Sequence, residues 1–143
     1  MVSVIRTFTV DKPMKEVVEY LADFSHAAAW DPGTRSCVRT DDGPLAVGST
    51  WHNVSEFRGK EARLSYRLVQ REDNRLVFQG ENKSATSTDN MTFTPVESGT
   101  SISYQAHIEF HGIIKLFGWI AQAEFNRLGD ETVVQMTRVI NAL

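Results

Sequence analysis

Cysteine is almost absent from this chain: Cys37 stands alone among 143 residues. A framework of internal disulfides is therefore excluded, and a reducing cytosolic setting is compatible with the composition. With no adjacent histidine or second cysteine, Cys37 reads as a small strand side chain rather than a nucleophile. Long hydrophobic runs are also missing. No stretch approaches the ~18 apolar residues of a membrane span, and the first six residues lack the apolar core of a signal peptide. A cytoplasmic location without stable membrane insertion is the expectation. Charge of one sign is scarce too: 15 basic residues against 18 acidic ones give a net charge of −3. The first 71 residues hold ten basic and nine acidic side chains and the remainder five and nine, so neither half is a basic module and nucleic acid is not an expected partner. There is no Gly-rich phosphate loop, nucleophile elbow or paired-cysteine metal motif, and no cofactor is expected. Linkers, repeats and low-complexity runs are absent as well. Residues 1–143 are expected to form one domain, large enough to bury a real core.

What the chain does have is alternation. Val2, Val4, Phe8 and Val10 interleave with Ser3, Thr7 and Thr9, which predicts a first strand with one apolar face. Asp11-Lys12-Pro13 then reads as a helix start, with Asp11 accepting from first-turn amides. Two short helical pieces follow over 14–23 and 25–30, ended by the turn Asp31-Pro32-Gly33. Six further strands are predicted over 34–40, 49–58, 61–71, 75–82, 86–96 and 101–110, separated by short turns that favour antiparallel neighbours.

The last third, 112–143, changes period. Ile114, Phe117, Ala121, Phe125, Leu128, Thr132, Met136, Val139 and Leu143 advance by three or four residues, the spacing of one helix face. About 30 helical residues extend roughly 45 Å, and such a stripe needs a broad apolar surface to receive it. The fold class expected is α+β: a curved antiparallel sheet of six to seven strands gripping a long C-terminal helix.

This order resembles the START-like helix-grip superfamily, near its polyketide cyclase/dehydrase and lipid-transport group. The likeness rests on Val10-Asp11-Lys12-Pro13 with residues 17–24, on Trp30-Asp31-Pro32-Gly33, and on residues 128–133. What the resemblance implies is the fold and a hydrophobic cavity between sheet and helix, while activities within the superfamily differ widely.

The ligand-binding residues expected on the inward faces are Trp51, Tyr66, Phe78, Met91 and Tyr104 on strands and Phe117 and Phe125 on the helix, with Trp30 near an entrance. Asn53, Ser55 and Tyr66 offer hydrogen bonds. Three charges also fall on inner faces: Arg6, Asp89 and Glu124. A buried charge needs a partner. An Arg6–Glu124 pair, an Arg6–Asp89 pair, and Arg6 holding a ligand carboxylate or phenolate all satisfy that demand. His107, Glu109 and His111 share one strand face, but Ile108 and Phe110 claim the core side, which turns the trio toward solvent and away from a metal role. Arg63, Arg67 and Arg71 are expected together on the outer face of one hairpin.

The expected partner is thus a small hydrophobic or amphipathic molecule, lipid-like or polyketide-like. The alternatives are an enzyme resembling aromatic polyketide cyclases or dehydratases, and a protein-interaction module supported by the basic hairpin.

Overall fold

The computed structural model describes residues 1–112 and 118–143. Strand β1 (Val2–Val10) leads through helix α1 (Met14–Ala22), a 3-10 turn at Phe24–His26 and helix α2 (Ala27–Trp30) into β2 (Thr34–Arg39). Strands β3 (Thr50–Phe57), β4 (Lys60–Glu72), β5 (Arg75–Glu81), β6 (Ala85–Val96) and β7 (Gly99–Phe110) follow, and helix α3 spans Gly118–Asn141. The strands form one antiparallel sheet in the order β1-β7-β6-β5-β4-β3-β2. Each consecutive pair from β2 onward is a hairpin, and β1 closes onto β7 with Arg6 opposite Tyr104. The α+β helix-grip expectation therefore holds, with seven strands.

The local rules explain most boundaries. Arg58 and Gly59 take positive φ of 53° and 78° and turn β3 into β4, the conformation of a tight hairpin. A register shift between Leu68 and Gln70 bends β4, as a bulge does. The start of α1 differs from expectation. Pro13 is the N-cap and no side chain caps the helix, because Asp11 is drawn toward the far end of the chain, its amide donating to Asn141 Oδ1 at 2.8 Å.

Helix α3 is latched along β1, the edge strand. Gln122 meets the backbone of Ser3 in both directions, donating to its carbonyl at 2.8 Å and accepting from its amide at 3.2 Å. One side chain thereby satisfies a donor and an acceptor that an edge strand leaves open. Arg6 donates to Asp130 at 2.8 Å and to the Asn126 carbonyl at 3.1 Å. Between these bonds lies Gly129, where an added Cβ would stand 2.7 Å from Val4 Cγ2. The buried face of α3 runs through Ala121, Gly129, Thr132, Met136 and Ile140. The expected stripe ends differently: Ile140 is fully buried and Leu143 is exposed, since 136 to 140 is a full helical repeat. Residues 113–117 of the expected helix lie outside the described residues.

The short helices plug one end of the gripped space. Phe24 is 1% exposed and packs at 4.5 Å, centroid to centroid, on both Tyr66 and Phe78. Trp51 and Trp30 meet it edge-on at 6.1 and 5.9 Å. Such aromatic pairs contribute about 0.5–1.5 kcal/mol each beyond their buried area.

The tight approach at Gly129 has a measurable consequence. Gly129→Leu is expected to lower stability by about 1–3 kcal/mol in urea unfolding, as overpacking does. Adding Val4→Ala to that variant should recover part of the loss; a loss unchanged by Val4→Ala would mean that the contact is not the cause.

Candidate functional site

Between the aromatic plug and α3 the sheet's concave face is left uncovered, and a cavity of about 500 Å³ opens there. Three strands step into it from rim to floor. Ala62, Leu64 and Tyr66 come from β4, Ala85, Ser87 and Asp89 from β6, and Phe110, Ile108, Ala106 and Tyr104 from β7. Residues two apart on a strand share a face, so each series descends about 7 Å per step. Phe125, Leu128, Gly129 and Thr132 of α3 close the opposite side, and Asp31 and Gly33 approach from the turn after α2. Lys60, Glu61, Arg63 and Glu56 gather at the rim. Beyond the floor, Leu68, Met91 and Ile102 are fully buried, and the space is filled.

The floor is polar. The Tyr104 hydroxyl donates to Asp89 Oδ1 at 2.5 Å, and the Tyr66 hydroxyl also approaches this carboxylate. Tyr66 reaches it by lying across its neighbour strand. It pairs with Gly80, which pairs with Ser87, and a Cβ on Gly80 would stand 2.5 Å from Tyr66 Cε2. Only glycine leaves room for that ring. Burial pushes the Asp89 carboxyl up to about 7, the phenols pull it back, and the nearby Asp31 charge adds to the rise. Both phenols are pushed well above their ordinary range by burial and then by the Asp89 charge. Asp31, raised by burial as well, spends its oxygens on its own turn. It accepts from the Gly33 amide at 3.0 Å and the Thr34 hydroxyl at 2.8 Å.

Of the residues expected from the sequence, the structure brings Tyr66, Asp89, Tyr104 and Phe125 to the cavity wall. Trp51, Phe78 and Met91 are buried on the same sheet face, within the filled part of the core. The Trp51 indole is held by Asp23, to which it donates at 3.1 Å. Asn53 is buried one layer behind the wall, accepting from Ser55 at 2.6 Å, while Ser55 itself lines the cavity. Trp30, expected near an entrance, is fully buried instead, because α2 turns it inward against Phe24 and Tyr104. Its indole N–H has no hydrogen-bond partner among the described residues. Arg6 and Glu124, expected on inner faces, lie outside the wall. Arg6 pairs with Asp130 and Glu124 with Arg127, so neither of the pairings envisaged for Arg6 forms. Arg63, expected on the outer face, contributes to the rim and pairs with Glu61 at 2.9 Å. Phe117 lies outside the described residues. Cys37 is buried, and burial pushes its thiol up to about 11, which keeps it un-ionised.

Sequence reasoning missed Asp31, read only as a turn residue, and Ala85 and Ser87; Ala62 and Ala106 fall on the apolar faces of their strands but are not among the expected ligand-binding residues. Their signal was present in the alternation. Counting back by two from Asp89 gives Ser87 and Ala85, and forward from Tyr104 gives Ala106.

A family model described as polyketide cyclase/dehydrase and lipid transport matches residues 1–140. Among solved structures, TTHA0849 of Thermus thermophilus superposes with a TM-score of 0.79 at 15% identity, over 99% of this chain and 97% of that one. An aromatase/cyclase, Zhui, from Streptomyces sp. R1128 gives 0.74 at 12% identity, over 98% and 91%. The di-domain ARO/CYC BexL from the BE-7585A biosynthetic pathway gives 0.68 at 17% identity, with 98% of this chain covering 48% of that chain. At these identities the likeness concerns the fold. No curated protein matches the sequence.

The buried Asp89 sets a pH dependence of stability. An unfolded carboxyl titrates near ~3.9, whereas the folded one holds its proton up to about 7. Between those values the folded chain keeps a proton that the unfolded chain has released, so stability falls as pH rises through that window. The contribution is on the order of 4 kcal/mol across three units. Urea midpoints from about pH 5 to about pH 8 should fall more steeply for the wild type than for Asp89→Asn. Parallel profiles would show that Asp89 ionises freely in the folded state.

Proposed function

We propose a ligand-binding role, from the premise that the chain belongs to the polyketide cyclase/dehydrase and lipid-transport family. The protein binds a small hydrophobic or amphipathic molecule between the sheet and α3. The observation that carries this reading is the cavity of about 500 Å³, a size suited to a drug-sized ligand. Its walls are mostly apolar between a charged rim and a polar floor. Burial of ligand surface supplies most of the affinity, at ~25 cal/mol per Å² before the costs of association. No described helix is long and apolar enough to cross a membrane, which fits a cavity that takes single molecules from water or from a membrane surface.

A second reading is favoured by one feature of the same floor. A carboxyl held up to about 7 by burial beside two phenols is matched to proton transfer at neutral pH, and the structural neighbours Zhui and BexL are an aromatase/cyclase and a di-domain ARO/CYC. In a cyclase or dehydratase of this kind, the cavity would hold a flexible substrate folded and Asp89 would move a proton. Activity would then depend on Asp89 while occupancy of the cavity would not.

Filling the cavity tests the binding role. Ala106 is buried in the wall, and Ala106→Phe is expected to weaken binding of N-phenyl-1-naphthylamine at least tenfold with the circular dichroism spectrum unchanged. Arg67→Ala, exposed and away from the wall, should leave affinity within about twofold, as surface changes usually do. A dye that binds the wild type and Ala106→Phe equally well would place the site elsewhere.

A further inference from the structure

The floor of the cavity discriminates between head groups by charge. Around Asp89 stand Tyr66 from β4, Tyr104 from β7, Ser87 two residues earlier on β6, and Asp31 from the turn after α2. The side of α3 that faces them carries Phe125, Leu128, Gly129 and Thr132, none of them charged. The Thr132 hydroxyl is already committed to the Leu128 carbonyl at 2.8 Å. Among the described residues no lysine, arginine or histidine lines this floor: Arg35 acts on Asp31 from outside, its guanidinium donating to Glu56 at 3.0 Å, and the cations of the wall, Lys60 and Arg63, belong to the hairpin at the rim. Two carboxylates with no cation lining the floor repel a third negative charge, and the few hydroxyl donors there do not replace the hydration it loses.

The hydrogen-bonding capacity left over is equally specific. Asp89 Oδ1 is engaged by Tyr104, while Oδ2 retains acceptor capacity beside the Tyr66 hydroxyl. Asp31 has both oxygens engaged by its turn. A ligand hydroxyl needs one acceptor and one donor, which the Asp89 carboxylate and a phenol supply. An ammonium has three donors to satisfy at once and must shed a strong hydration shell in this apolar enclosure, whereas a hydroxyl asks for one partner of each kind.

We infer that the cavity floor selects ligands whose buried end is an uncharged hydroxyl, alcohol or phenol, and rejects ligands that bring a carboxylate there. This rests on the reading of the cavity as a ligand site. The ligand hydroxyl donates to Asp89 and accepts from Tyr66, whose single proton turns from the carboxylate to the ligand oxygen, and the apolar body of the ligand lies along Ala62, Ala85 and Ala106 toward the rim. Gly80 is a positioning residue for this recognition, because it lets Tyr66 lie flat and reach the floor.

Four probes of one shape test the assignment: naphthalene, 2-naphthol, 2-naphthoate and 2-naphthylmethylamine, titrated by fluorescence or calorimetry at about pH 8. 2-Naphthol is expected to bind about tenfold more tightly than naphthalene, the scale of a hydrogen bond to a charged group. 2-Naphthoate should bind about tenfold more weakly than naphthalene. In Asp89→Leu the preference for naphthol over naphthalene should fall to within about twofold. Asp89→Asn provides a second variant of nearly unchanged shape, in which naphthoate binding should recover severalfold. Lowering the pH to about 6 should likewise strengthen naphthoate binding in the wild type and leave it unchanged in Asp89→Asn. The inference is overturned if naphthoate binds as well as naphthol, if the amine binds most tightly, or if the naphthol preference survives in Asp89→Leu. Naphthalene binding without discrimination would remove this inference and leave the cavity reading standing. Binding of none of the four would remove both.

Discussion

Everything in this molecule depends on how closely α3 lies along β1. The contact is set by an absence, the missing side chain of Gly129, which brings the helix against Val4. Polar bonds on either side, from Gln122 to Ser3 and from Arg6 to Asp130 and Asn126, fix its lateral position. A helix is about 10–12 Å across with its side chains, whereas seven strands at ~4.8 Å spacing span about 29 Å. One helix held at the β1 edge therefore cannot cover the concave face. The short helices cover the other end through Phe24 and Trp30, and the space between the two coverings is the cavity. The shortfall follows from the seven strands of this sheet.

Which part of the face stays empty is decided by side-chain volume. Along β4 and β6 the inward positions pass from small to large, Ala62 to Leu68 and Ala85 to Met91, whereas β7 carries Phe110 and Ile108 at the rim and its one small residue, Ala106, ahead of Tyr104 and Ile102. The cavity lies over the small residues and ends where the large ones meet. The aromatic residues do the opposite of what a binding stripe suggests. Trp51, Phe78 and Trp30 complete the core around Phe24, all of them buried and in edge-on or tilted ring contact. Tyr66 and Tyr104 face the cavity at the boundary between the filled and the open regions, with Phe57 and Phe110 toward the rim and Phe125 on α3.

Asp89 marks the same boundary and opposes stability. A carboxyl removed from water costs stability once the unfolded chain would have released its proton, and near neutral pH that proton is half lost even in the folded chain. A leucine or asparagine at this position would spare the chain that cost. The two phenols and the glycine that admits Tyr66 form a coordinated arrangement around one acid. Buried ionisable groups so arranged are characteristic of functional sites.

The sequence by itself determined the elements, their order and their apolar faces, because alternation by two and recurrence by three or four are local properties of strands and helices. Strand β1, the two short helices, the six following strands and the stripe through Thr132 and Met136 were all legible in this way, and family resemblance added the helix-grip arrangement. Asp89 and Tyr104 were legible as inward residues, though their bond was not. Tertiary structure alone decided how the inward residues divide between core and cavity, because that depends on which part of a wide sheet the helices cover. It also decided the charges. Arg6 and Glu124 share the period of the inner faces, yet Arg6 leans over the edge to Asp130 and Glu124 turns along the helix to Arg127. A long side chain can leave the face its Cα occupies and carry its charge back toward water. Asp89 is too short to do so. It stays where the strand puts it, and only its neighbours on β4 and β7 determine what it becomes.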